Sequence, residues 1–217
     1  MSAEPGPVDL LGEGLARLAV PDAERAQAQL NLYLDELLRW NPRFGFVKAS
    51  SRRELIVKHV LDSLSAWRLI RDEAGNGGVL DVGSGAGLPG IPLAVCMPET
   101  PFTLLERSAK KVSFLRTCKA LLGLARVEVI QGDLTAVAAR FDVVTFRAVA
   151  PLSRFLADAR DAGLKFRTVV AYKGRIERAQ AEIEYVRRSA DAPARADVVP
   201  VTVPFLDEER CIVALRP

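Results

Sequence analysis

The stretch DVGSGAGLPGIP, residues 81–92, follows the apolar pair Val79 and Leu80 and carries glycines at 83, 85, 87 and 90. Glycines spaced like this let a backbone approach a nucleotide closely. Read from Gly85, the run satisfies GxGxxG; read from Asp81, it is an acidic residue followed by Gly83, Gly85 and Gly87. Glu106 ends the next apolar run, about 25 residues after Asp81, where a carboxylate can accept hydrogen bonds from both hydroxyls of an adenosine ribose. Dinucleotides and S-adenosylmethionine are both held by such a set.

Three features favour S-adenosylmethionine. Asp81 sets a carboxylate under the loop, which suits an amine-bearing cation and repels a pyrophosphate. Pro89 deletes an amide donor where a pyrophosphate would want one. The last two apolar runs, ADVVPVTVPF and RCIVALRP, leave no room between them for a crossover helix, so they pair as an antiparallel hairpin. That hairpin gives the seven-stranded sheet with a reversed terminal strand found in class I methyltransferases.

Other candidates lie outside the loop. His59, Asp62 and Ser63 stand at i, i+3 and i+4 of a helical stretch, so they should share one face and can form one hydrogen-bonded unit. Arg147 ends a strand, at the edge that faces the ligand crevice of such sheets, and its planar fork could grip a guanine oxygen or a phosphate. Lys173 ends the next strand in a similar place, as a base or phosphate contact. Lys110 and Lys111, with Arg52, Arg53, Lys58, Arg147 and Arg154, map near the same strand ends and would supply a basic surface for RNA.

These residues must be positioned by elements that the hydrophobic pattern outlines. The first twenty residues, rich in Gly, Pro and Ala, are expected to be mobile or weakly helical. Residues 21–74 read as a helical extension. One helix starts at Pro21 and Asp22, carries Leu30, Tyr33, Leu34, Leu37 and Leu38 on one face, and ends at Asn41 and Pro42; a second runs from about Arg53 to Ile70. From residue 75 to 217, GVLDVG, FTLLE, VEVIQG, FDVVTF and TVVAYK alternate with helical patterns, as in a mostly parallel α/β sheet covered on both faces. A net charge of +3 demands no polyanionic partner by itself, so any basic surface must be local. Three scattered cysteines suggest neither a disulfide framework nor a metal site. With no membrane-length apolar run and no leader pattern, a cytoplasmic location is expected.

Together with KHVLDSL, TFRAVAPL, LLERSAKKVSFL and AYKG, the glycine block resembles the bacterial glucose-inhibited division protein B family, small-subunit ribosomal RNA guanine-N7 methyltransferases, over about residues 30–217. The resemblance implies 16S ribosomal RNA or the 30S subunit as partner, with no metal and no membrane. It implies that Gly83 and Leu88 line the methionine and ribose side of S-adenosylmethionine, that Glu106 holds the ribose, and that the Leu134 and Thr135 backbone frames the adenine. Arg147 would then stand where cofactor and base meet. On the same footing His59 becomes a candidate positioning group, with Ser63 on the substrate side. The chain departs from the family pattern at Gly45, Phe46 and Val47, where Asn-Leu-Thr is frequent, and at Asp133, Leu134 and Thr135, where Arg-Ala-Glu is common. Guanine N7 already carries a free lone pair, and the chain lacks both the Asn/Asp-Pro-Pro-aromatic run of exocyclic amine methylation and a Pro-Cys nucleophile after the fourth strand. Two other readings stay open from residues alone: a methyltransferase of the same fold acting on a small molecule or protein, and an RNA- or ribosome-binding protein without turnover.

Overall fold

The short apolar runs become strands because each can be buried on both faces. The computed structural model describes residues 7–147 and 150–217. It contains β1 (Val79–Val82), β2 (Phe102–Glu106), β3 (Val127–Gln131), β4 (Arg140–Arg147), β5 (Lys165–Lys173), β6 (Arg195–Val201) and β7 (Arg210–Arg216) in one sheet of order β3-β2-β1-β4-β5-β7-β6. Strands β1 to β5 run parallel, while β7 pairs antiparallel with both β5 and β6. The reversed strand is therefore last in the chain but inside the sheet. Its amino end lies beside the carboxyl ends of the parallel strands, with Cys211 opposite Lys173.

Period-2 alternation along each strand divides the interior into two apolar layers. Val79, Leu104, Val143, Val170 and Ile212 face one layer, and Leu80, Leu105, Val144, Val169 and Val213 face the other. The first layer is closed by α6 (Gly90–Cys96) and α7 (Ala109–Leu121), the second by α8 (Leu152–Asp161) and α9 (Ile176–Val186).

The N-terminal helices complete the first layer. They are α1 (Pro7–Arg17), α2 (Ala23–Phe44), α3 (Arg52–Leu55), a π turn (Ile56–Leu61), α4 (Asp62–Leu64) and α5 (Trp67–Glu73). Leu30, Tyr33, Leu34 and Leu37 of α2 are fully buried, each contributing about 1.5–3 kcal/mol relative to exposure. Three α2 side chains reach across to the sheet domain: Tyr33 donates to the Ala86 carbonyl at 2.7 Å, Gln29 to the Leu122 carbonyl at 2.7 Å, and Arg25 to the Val95 carbonyl at 3.1 Å. Residues 10–73 and the sheet thus share one core.

Three expectations are corrected here. The first twenty residues are not simply a mobile tail: from Pro7 they form α1, whose Leu10, Leu11 and Leu15 are buried, while residues 1–6 lie outside the described residues. Helix α2 does not stop at Asn41 and Pro42. Pro42 sits in its last turn, and Gly45, left-handed at φ 60°, closes the helix by donating to the Asn41 carbonyl. The single helix from Arg53 to Ile70 is interrupted by the π turn and broken before Trp67.

Between β1 and α6 the glycine loop is close-packed. A Cβ on Gly90 would stand 2.3 Å from Leu104 Cδ2 and 2.6 Å from Asp81 Oδ2. Gly90→Ala is therefore expected to cost about 1–3 kcal/mol, read as a lower urea midpoint with an unchanged m-value. Among the described residues no helix is long and apolar enough to cross a membrane.

Candidate active site

Asp81 lies in β1 with its side chain toward the first layer, fully buried. Its Oδ2 accepts from the Gly90 amide at 3.1 Å, Ser84 Oγ donates to its backbone carbonyl at 3.0 Å, and its Oδ1 has no hydrogen-bond partner. Burial pushes this carboxyl up to about 7. Gly83, Gly85 and Gly87 all take positive φ, at 67°, 60° and 90°, so the turn above Asp81 is a glycine conformation throughout. Leu88 is buried beneath it.

Glu106, at the end of β2, accepts from the Gly85 amide at 2.9 Å through Oε2 and from the Ser108 amide at 2.8 Å through Oε1. Each oxygen retains a second acceptor position. Glu106 lines a cavity of about 580 Å³ together with Gly83, Asp133, Leu134, Thr135 and Ala150. The short turn Leu134–Ala136 is capped by Asp133, whose Oδ1 accepts from the Thr135 amide and hydroxyl at 3.0 and 2.6 Å. The residues present fit S-adenosylmethionine: a carboxylate with acceptors free for a ribose, a turn whose backbone borders the same cavity, and a buried carboxylate oxygen without a partner, which a cationic ligand would compensate.

The second half of the site is built around Arg147. In register with Tyr172, and like Arg210, it faces the N-terminal helices, because all three are in phase with the strand residues buried in that layer. Its Nη1 donates to Asp62 Oδ2 at 3.0 Å and to the Lys58 carbonyl at 3.2 Å, and its Nη2 meets His59 Nδ1 at 3.1 Å. Arg210 Nε donates to the other Asp62 oxygen at 3.1 Å. One nearly buried carboxylate thus holds two guanidinium groups. His59 Nε2 reaches the Lys48 carbonyl at 3.2 Å. A carbonyl can only accept and a guanidinium can only donate, so these contacts select a neutral imidazole with its proton on Nε2. Burial first, and the Arg147 charge second, hold its pKa below the ordinary value.

The grouping of His59, Asp62 and Ser63 takes a different form from one helical unit. The π turn changes the angular spacing, and His59 and Asp62 are joined through Arg147. Ser63 is fully buried, and its hydroxyl donates to the His59 carbonyl at 2.6 Å. Lys173 lies one residue beyond Tyr172 and so projects to the opposite face, where Glu182 of α9 takes its ammonium at 2.7 and 2.9 Å. From that face it still lines a cavity of about 560 Å³ with Lys58, Asp62, Arg147, Ala150 and Arg210. Ala150 borders both cavities.

Arg210 and Tyr172 were not singled out from sequence. The signal for Arg210 was present: the first residue of a reversed strand must lie at the carboxyl edge of its parallel neighbours. The basic surface is smaller than its residue count suggests. Arg52 pairs with Asp35, Lys58 with Glu54 and Glu208, and Arg154 with Asp158, whereas Arg53, Lys110 and Lys111 have no ion pair among the described residues. Nor do the described residues contain a group of three or more His, Cys, Asp or Glu side chains that could hold a metal ion.

A glycine turn after β1, an acidic end to β2 and a reversed strand inserted beside β5 define the class I methyltransferase fold. Solved structures agree on the fold: a delta-N METTL16 MTase domain matches with TM-score 0.61 at 14% identity over 88% of this chain and 96% of that one. A Synechocystis PCC 6803 magnesium protoporphyrin IX methyltransferase with bound SAM matches with TM-score 0.57 at 19% identity over 85% and 97%. The chain belongs to the rRNA small subunit methyltransferase G family, whose model matches residues 26–213. Relatives named ribosomal RNA small subunit methyltransferase G include one from Treponema pallidum (strain Nichols), 38% identical over 95% of this chain and 93% of its own length. Another, from Neisseria meningitidis serogroup C (strain 053442), is 36% identical over 95% and 96%.

Proposed function

We propose that this chain transfers the methyl group of S-adenosylmethionine to N7 of a guanine in 16S ribosomal RNA of the small subunit. When bound, the cofactor supplies a sulfonium methyl: the N7 lone pair forms the new N–C bond as the C–S bond breaks, with no proton to remove. The protein's part is alignment. Glu106 would accept from the ribose hydroxyls, the Leu134 and Thr135 backbone would border the adenine, and Asp81 would set negative charge beneath the methionine end. Arg147 would meet the base, and its position is set by Asp62 and His59. The observation that carries this reading is the pair of cavities, one beside Glu106 and one beside Arg147, that share Ala150 in their lining. Transfer of labelled methyl to 30S subunits from a strain lacking this activity, followed by mapping of the modified base, tests it. Label in a free metabolite or a protein, or binding without transfer, would refute it.

His59 supports Arg147 only while neutral. Its folded-state pKa lies below the unfolded one, so the unfolded chain binds more protons as pH falls through about 6.5, and the folded state loses stability there. Protonation also turns the Arg147 contact into a meeting of two cations. His59→Ala is expected to lower methylation about tenfold at pH 7.5 and to flatten the fall in rate toward pH 5.5. Unchanged methylation in this variant would remove His59 from the site.

A further inference from the structure

Beside the site, at the junction of α2 and α7, stands an aromatic cluster that the proposed chemistry does not use. Phe44 and Phe46 stack with centroids 5.5 Å apart and planes 11° apart. Trp40 lies 5.3 Å from Phe44, and buried Phe114 of α7 lies 5.2 Å from Phe46. Phe114 roots the group in the core, Trp40 and Phe46 pack against it, and Phe44 is the outer ring, half-buried. Two exposed cations crowd it: the Arg43 guanidinium is 5.3 Å and the Lys110 ammonium 5.9 Å from its centroid. Neither cation has an ion pair among the described residues, in contrast to Arg52, Lys58 and Arg154.

The platform is tied by hydrogen bonds to both halves of the site. Asn41 clasps its loop by exchanging two 2.9 Å hydrogen bonds with the Val47 backbone. The next carbonyl, of Lys48, is the one that His59 contacts, so the loop is tied through His59 to Arg147. Lys110 lies in the first turn of α7, whose N-cap is Ser108, and the Ser108 amide binds Glu106. Phe46 also stands within one of the departures from the family pattern. A second phenylalanine here supplies the ring that backs Phe44.

We propose that Phe44, backed by Phe46 and flanked by Arg43 and Lys110, is a stacking seat for an unpaired base of the substrate RNA, with the two cations on its phosphates. The inference rests on the reading of RNA as substrate. A half-exposed aromatic ring with two cations, neither in an ion pair, within 6 Å of its centroid is complementary to a single-stranded polyanion with planar bases.

The test is equilibrium filter binding of radiolabelled, deproteinised 16S ribosomal RNA and of small subunits to the full chain, with methyl transfer and cofactor calorimetry in parallel. Phe44→Ala is expected to weaken RNA binding about 10- to 100-fold while cofactor affinity stays within twofold, and Phe44→Trp is expected to restore it. Arg43→Ala combined with Lys110→Ala should reduce the salt slope of binding by about one to two. Wild-type RNA affinity in Phe44→Ala overturns the proposal, as does a parallel loss of cofactor affinity, which would mark a structural role. Equal rescue by Phe44→Leu also overturns it, since that signals an apolar contact such as a ribosomal protein would make. Stacking-dependent binding without methyl transfer would sink the enzymatic reading and leave the seat standing, and no RNA retention by the wild-type chain sinks the seat itself.

Discussion

Glu106→Ala is expected to weaken S-adenosylmethionine binding about 100-fold in calorimetry, the largest single loss at this site. The carboxylate has two tasks. It anchors the glycine turn through the Gly85 amide and the start of α7 through the Ser108 amide, at 2.9 and 2.8 Å. Its remaining acceptor positions are those a ribose would use. Hydrogen bonds to a charged group are worth about 1.5–3 kcal/mol each, so two ribose contacts would account for at least about two powers of ten. Glu106→Gln keeps the shape and one acceptor oxygen, and should fall between wild type and alanine. An alanine variant that binds cofactor within threefold of wild type would show that the ribose is held elsewhere.

Asp81→Asn should move stability and cofactor affinity in opposite directions. The carboxyl is fully buried with one oxygen unpartnered, and burial raises its pKa from 3.8 to about 7. For an acid with a raised folded-state pKa, the folded protein binds more protons between those values, so stability is lost as pH climbs from about 4 to about 7. Above pH 7 the full cost of the buried charge is about 4 kcal/mol, by 1.36 kcal/mol per pKa unit. An asparagine removes the charge but leaves its amide NH2 without a partner, which returns about 1–3 kcal/mol. The free variant should therefore be more stable by about 1–3 kcal/mol at pH 8, with the gain cancelling between about pH 4.5 and 6 and turning into a loss of about 1–3 kcal/mol near pH 4. Its affinity for the cationic cofactor should drop about tenfold or more. Denaturant unfolding at both pH values and cofactor titration at pH 8 check this. A less stable variant with unchanged cofactor affinity would mean that Asp81 serves only to anchor Gly90. The buried carboxylate would then be a case of stability given up for binding.

Much of this was legible in order along the chain. Apolar runs of strand length and their alternation with helical patterns determined the sheet; a gap too short for a crossover helix determined the reversed strand; the glycines determined the turn after β1 that Glu106 anchors. These are local properties, set by backbone conformation and by a period of two or 3.6. Of the two options open for the first twenty residues, mobile or weakly helical, the helix holds from Pro7 because Leu10, Leu11 and Leu15 had a core to enter, and the stop at Pro42 went wrong because a proline in a last turn disturbs little. What a side chain does at the strand edge depended on the register between strands and on what faces it. Arg147 and Lys173 looked equivalent in sequence, each ending a strand. Pairing Arg147 with Tyr172 set Lys173 one residue further and turned it to α9 and Glu182, while Arg210, from a strand 148 residues distant from Asp62, came to share that carboxylate with Arg147. Such a cluster draws on three separate segments, so no spacing within the chain could reveal it; only the folded sheet, with its alternating faces, brings those charges together.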